Sequence, residues 1–151
     1  MTIVGVDHTS FTVSDLDTAV EWFTTLLGDG PIVRKRSTDA YMSALVGYPD
    51  TELEYAYFAL PGGTMLELVE YTNPQSGRVE LEPRNVGVAH ICLTVDDIHA
   101  QVERLAPISQ LRAPQPVGKT AGINRGGWGI YLQGPDGITI ELTQPPPKAA
   151  D

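Results

Sequence analysis

The sequence runs to 151 residues, enough for one ordinary domain or two half-size modules sharing a core, which excludes a large multidomain assembly. Hydrophobic residues make up 42% and charged residues 19%, with 15 Gly and 12 Pro interrupting the apolar runs, and this composition excludes a disordered chain. Ten basic against nineteen acidic residues leave a net charge of −9, a field that repels nucleic acid and anionic membrane surfaces, so neither is expected as a partner.

In chain order, the pattern predicts a strand over Val4 to Val13, then a helix with Ser14 or Asp15 as N-cap and Gly28 as its stop. Leu16, Ala19, Val20, Phe23 and Leu27 recur at helical spacing and form the expected buried stripe. Extended segments follow at Pro31 to Arg36, Leu53 to Leu60 and Met65 to Tyr71, the last two joined by the turn Pro61-Gly62-Gly63. Ser37 to Asp50 is open between a short helix and part of a lid. Residues 73–85, with Pro74, Gly77 and Pro83, read as a linker after a first module over 1–72. A second module over 86–144 then repeats the order: a strand from Val88 to Val95, a helix from Asp97 to Leu105 ended by Pro107, and strands near Leu111, Gly129 to Leu132 and Ile138 to Thr143. Residues 145–151, opening with three prolines, read as a flexible tail.

The order repeats because the sequence does. Gly5-Val6-Asp7-His8 through Thr12-Val13-Ser14-Asp15-Leu16 aligns without a gap on Gly87-Val88-Ala89-His90 through Thr94-Val95-Asp96-Asp97-Ile98. Tyr57 to Leu68 aligns in the same way on Tyr131 to Leu142, at a second, slightly smaller offset. Each half therefore carries a His early and a Glu late.

Alternation along the strands puts Ala89, Ile91, Leu93 and Val95 on one face, packing on helices, and His90, Cys92 and Thr94 on the other. Ile138, Ile140 and Leu142 separate likewise from Glu141, and Leu66 and Leu68 from Glu67. If equivalent strands of the halves share one curved sheet, His8, Glu67, His90 and Glu141 converge on its concave face. A carboxylate among apolar strand neighbours is costly to bury unless paired or metal-bound. Imidazole and carboxylate together suit Zn, Ni, Co, Mn or Fe(II) without choosing among them.

At these residues the chain resembles the vicinal oxygen chelate superfamily, which includes glyoxalase I, methylmalonyl-CoA epimerase, extradiol dioxygenases, and the fosfomycin and bleomycin resistance proteins. The carriers are DHTSFTVSDLDTAVEWFTTLLG, GGTMLELVEY, GVAHICLTVDDIHA and PDGITIELTQPP. The resemblance implies an α+β fold of two tandem βαβββ modules, a cup-shaped mixed sheet with helices outside. It also implies one divalent metal ion held by His8, Glu67, His90 and Glu141, chelated in turn by a small-molecule substrate, and pairing of two chains as a homodimer. HICLTVDDI and IELTQ are closest to methylmalonyl-CoA epimerases, but Glu67 stands where those commonly have Gln and is closer to glyoxalase I.

The chemistry so implied is proton transfer α to a carbonyl, as in an isomerase, epimerase or lyase, with Glu141 as ligand and base and Glu67 as its counterpart. Glu54 is a further candidate base, because epimerases of that family carry a carboxylate in the corresponding strand. The alternatives are an extradiol-type dioxygenase and a metal-free drug- or metabolite-binding protein. Tyr55, Tyr57, Tyr131 and Trp128 are candidates for lining an apolar pocket. Lys119 and Arg125, in VGKTAGINRGG, read first as solvated loop residues and second as holders of a carboxylate, thioester carrier or phosphate. His99 reads as a surface residue. Cys92, the one cysteine, reads as a small hydrophobe near the site, and without disulfides or a signal-like start the cytoplasm is the expected compartment.

Overall fold

The structure is a computed structural model that describes residues 2–148. The chain divides into two compact units, Met1–Val79 and Glu80–Asp151. The class is α+β, with the strands in two sheets, one in each unit.

In the first unit, β1 (His8–Thr12) leads into α1 (Leu16–Leu27), followed by β2 (Val33–Ser37), α2 (Ala40–Val46), β3 (Glu52–Ala59) and β4 (Met65–Asn73). The sheet order is β1-β4-β3-β2, with β1 parallel to β4 and the remaining pairs antiparallel. Asp15 caps α1 through Thr18 N, and Gly28, at φ 87°, ends it in the left-handed region that favours glycine. The buried face of α1 is Leu16, Ala19, Trp22, Phe23 and Leu26. Val20 and Leu27, expected in the stripe, are only half-buried, because the bulky Trp22 draws the apolar face toward its own side. Phe23 lies against Phe11, Trp22 and Phe58, and closes the core over Leu66 and Leu68. The open segment 37–50 resolves as α2, whose side chains are not buried.

In the second unit the order is β5 (Ile91–Thr94), α3 (Ile98–Leu105), β6 (Gln110–Leu111), β7 (Val117–Gly118), β8 (Trp128–Gln133) and β9 (Thr139–Gln144). The sheet runs β5-β9-β8-β6, with β7 also on β8. The strand matching β2 is thus broken in two, and β7 is an addition to the expected elements. Both first strands are shorter than expected. Residues before His8 are outside β1, and His90 stands one residue ahead of β5.

The repeat extends to the register. Thr9 faces Leu66 and Ile91 faces Ile140; Ser10 faces Glu67 and Cys92 faces Glu141; Tyr57 faces Glu67 and Tyr131 faces Glu141. Each pair is related to its counterpart by the same two offsets that align the halves of the sequence. Helix entry repeats too: Leu16 N donates to Glu70 Oε2 at 2.7 Å, and Ile98 N to Gln144 Oε1 at 2.9 Å. In both units the last strand satisfies an otherwise orphaned N–H of the first helical turn.

Among the described residues no helix is long and apolar enough to cross a membrane. Of the expected tail, Pro145 and Pro146 are exposed but run against Gly126 and Gly127, where Gln144 O and the Pro145 carbonyl carbon leave no room for a Cβ at 127. Residues 149–151 lie outside the described residues.

Candidate functional site

In the first unit, Glu67 projects from the middle of β4 on the face opposite Leu66 and Leu68. His8 opens β1 and brings its Nε2 to 3.5 Å from Glu67 Oε2, while its Nδ1 is held by Asp7 Oδ2 at 2.7 Å. With Nδ1–H donated to Asp7, a neutral imidazole presents a lone pair at Nε2, so two acceptors face one another. A cation between them, either a proton or a metal ion, removes that conflict. Tyr57, across from Glu67, donates its hydroxyl to the carboxylate and sets its ring edge-on to His8 at 5.7 Å. Burial, then the bond to Glu67 and its charge, hold that phenol well above its ordinary pKa, so it remains a donor at any physiological pH.

In the second unit, His90 Nε2 lies 3.3 Å from Glu141 Oε2 and 3.3 Å from the Tyr131 hydroxyl. Glu141 Oε1 accepts from Lys119 Nζ at 2.9 Å, and the same ammonium donates to Thr143 Oγ1 at 2.9 Å. Burial pushes the Glu141 carboxyl up, but the Lys119 hydrogen bond and charge, the Cys92 thiol and His90 together outweigh it and leave the group below its usual range. Stability from this link is present above the ordinary carboxylate pKa and is lost as pH falls through the lowered one. Cys92, the register partner of Glu141, is raised by desolvation and by the Glu141 charge; it stays a thiol, which is the wrong state for a nucleophile.

The structure thus presents the four expected ligands as two His–Glu pairs, one in each unit. Among the described residues no group of three or more His, Cys, Asp or Glu side chains is gathered to hold a metal. Each pair nevertheless suits one. Ligands about 2.1 Å from a common ion at tetrahedral or octahedral angles are about 3.0 to 3.4 Å apart, close to the spacings of 3.3 and 3.5 Å between Nε2 and Oε2.

Several other candidates are elsewhere. Glu54 faces Glu70 across β3 and β4, on the side of α1, and is engaged with Arg34 at 3.7 Å, which also holds Asp17 of α1. This is the face opposite Tyr57 and Glu67, and Glu54 serves an ion pair between sheet and helix. Trp128 falls with the core residues Ile130 and Leu132 on the helix side of β8, its ring against His99 at 5.2 Å, so it does not join Tyr131. Tyr55, whose ring packs on Tyr57 at 5.7 Å, is on the face of Glu67. Lys119 is the residue that sequence reasoning undervalued: its side chain is one quarter exposed and reaches Glu141 Oε1, whereas Arg125 is exposed in the adjoining loop.

The model of the Glyoxalase/Bleomycin resistance protein/Dioxygenase superfamily matches residues 5–142. The chain is 31% identical over 150 residues to a 2-epi-5-epi-valiolone epimerase from Actinomyces sp., covering 97% of this chain and 82% of that one. It is 30% identical over 141 residues to a probable lactoylglutathione lyase from Vibrio cholerae, covering 91% of this chain and 88% of that protein. In fold it is similar to a glyoxalase family protein from Bacillus cereus, with a TM-score of 0.82, 22% identity and 97% of both chains covered. The match over both halves, together with a paired His and Glu in each, places this chain in the Glyoxalase/Bleomycin resistance protein/Dioxygenase superfamily.

Proposed function

We propose that the protein is a metal-dependent isomerase, epimerase or lyase that moves a proton α to a carbonyl of a small organic substrate. The observation that carries this reading is the duplicated pair, His8 with Glu67 and His90 with Glu141, each with Nε2 and a carboxylate oxygen at ligand spacing. The names of two relatives, an epimerase and a lactoylglutathione lyase, support the reaction class. One divalent ion per chain, when bound, polarises the substrate carbonyl and lowers the barrier to losing the adjacent proton.

The chain's own residues carry the proton. Glu141 Oε2 accepts the α-proton as the C–H bond breaks, the electron pair passes to the carbonyl oxygen as an enolate, and the proton is returned from Oε2 to carbon. Glu67, oriented by the Tyr57 hydroxyl, acts chiefly as a ligand. Asp7 holds His8 in the tautomer that leaves Nε2 free. Tyr55 and Tyr57 give the first unit's pair an aromatic border.

The test is metal analysis of protein purified without chelator, beside solvent deuterium incorporation into lactoylglutathione and 2-epi-5-epi-valiolone. About one divalent ion per chain and exchange into one of these compounds, or into a related thioester or α-hydroxyketone, are expected. Active protein without metal sinks the reading, and oxygen uptake with catechols replaces it by ring-cleaving dioxygenation. Glu54→Gln is expected to leave metal content and exchange unchanged, since Glu54 serves only the Arg34 and Asp17 cluster; a large loss of exchange in that variant returns it to the list of bases.

Two copies of the chain are proposed to associate. Ile3, Val4 and Val6, in the segment leading into β1, are exposed, and β1 stands at the end of its sheet order, so among the described residues one of its edges is unpaired. Light scattering at micromolar concentration should give twice the chain mass; the mass of a single chain refutes the dimer.

A further inference from the structure

The two units share the strand register around their glutamates, yet the glutamates are held differently, and the difference comes from one lysine and one glycine. Glu67 meets His8 and the Tyr57 hydroxyl, neither of which is a fixed cation. Glu141 meets the corresponding His90 and, in addition, the Lys119 ammonium. Lys119 follows β7, and its backbone is locked to the 126–127 turn: Lys119 N donates to Gly127 O at 2.8 Å and Lys119 O accepts from Gly126 N at 2.8 Å. From there the side chain must pass across β8 to reach β9, and it crosses at residue 129. A Cβ on Gly129 would stand 2.5 Å from Lys119 Cε and 3.2 Å from its Nζ. Glycine weakens a strand interior, and Gly129 has no positive φ to call for it. The lysine occupying its side-chain space does.

We propose, resting on the proton-transfer reading above, that Lys119 is the positioning residue that makes Glu141 the mobile carboxylate of the two. It ties down Oε1, leaving Oε2, on the side of His90, as the one working oxygen. It also gives Glu141 a cation to rest on whenever Oε2 exchanges its partner for the substrate proton. A partly buried carboxylate released with no such partner is costly, and Glu67 has only a neutral hydroxyl to fall back on.

Two variants test this from opposite sides of the contact. Lys119→Met removes the ammonium; Gly129→Ala leaves Lys119 and Glu141 intact and drives a methyl group into the path between them. Cobalt(II) is titrated into the full chain, and deuterium exchange is followed with the compound that the wild-type protein turns over. The ammonium repels a divalent cation, so both variants should bind cobalt(II) more tightly, by about threefold or more. Exchange should nevertheless fall at least about tenfold in kcat with KM little changed, the pattern of an interaction used in the transition state. A role in folding alone would weaken cobalt binding and activity together. That result, or cobalt affinity and exchange equal to wild type in both variants, overturns the proposal. In metal-free protein, 15N spectra should show a slowly exchanging Lys119 ammonium resonance that is lost in Glu141→Gln and in Gly129→Ala. If the resonance is present while wild-type protein takes up no cobalt and exchanges no proton, the tether stands and the functional reading falls. If it is absent, the tether itself is refuted.

Discussion

His8→Ala and His90→Ala are each expected to lower metal occupancy and proton exchange together, with metal affinity falling by about 100-fold or more for a lost ligand, since even partners one step removed cost about 10- to 100-fold. The two losses should not be equal. His8 is pre-oriented, its Nδ1 fixed by Asp7 at 2.7 Å, so the Nε2 lone pair is already turned toward Glu67 before any ion arrives. His90 shares Nε2 between Glu141 and the Tyr131 hydroxyl, and part of its binding strength is used in giving up the tyrosine. His8→Ala should therefore be the more damaging change. Asp7→Asn should weaken metal by about 10-fold, while Ala89, at the equivalent position, offers no such support. Metal content measured by elemental analysis after equilibrium dialysis checks the order, and unchanged occupancy in both histidine variants refutes the ligand set.

What the sequence made legible was what repeats. The offsets that align the two halves are the same ones that relate the β1–β4 register to that of β5–β9; of the two cap candidates Ser14 and Asp15 it is Asp15 that caps α1, and Asp97, expected as the first residue of the second helix, is its cap. His and Glu were recognisable because each occurs in both copies. Features present in only one copy were harder to read. Lys119 is far from Glu141 along the chain, and their contact depends on a missing side chain at Gly129, a signal that exists only once β7, β8 and β9 are side by side. The facing of Glu54 follows from simple alternation, with Ala56 and Phe58 on its own buried side and Tyr55 and Tyr57 on the other; what alternation could not supply is its ion-pair cluster, since Arg34 and Asp17 reach it only once β2 and α1 are folded beside β3. Trp22 and Leu26 replaced Val20 and Leu27 in the buried stripe because helical periodicity admits both sets, and only packing against Phe23 and the sheet selects one.

Replacing the two glutamates one at a time separates ligand from proton carrier, the other large effect expected. Glutamine keeps a carbonyl oxygen for a metal ion but cannot take a proton, so Glu141→Gln should retain appreciable metal and lose exchange by about 100-fold or more, the scale of a lost general base. The Lys119 ammonium, 2.9 Å from Oε1, loses its counter-charge in that variant; with one negative charge fewer beside it, the ion should be held less tightly than in the wild-type protein, though still detectably. Glu67→Gln should be milder. Its partners, the Tyr57 hydroxyl and His8, can both engage an amide, and no proton is assigned to that carboxylate, so metal and some exchange should survive, with substrate preference open to change. Metal content and deuterium incorporation measured side by side on both variants decide the matter. Should Glu67→Gln abolish exchange while Glu141→Gln preserves it, the proton travels through the first unit, and Lys119 would then serve to immobilise Glu141 as a pure ligand while the carboxylate without a fixed cation does the moving.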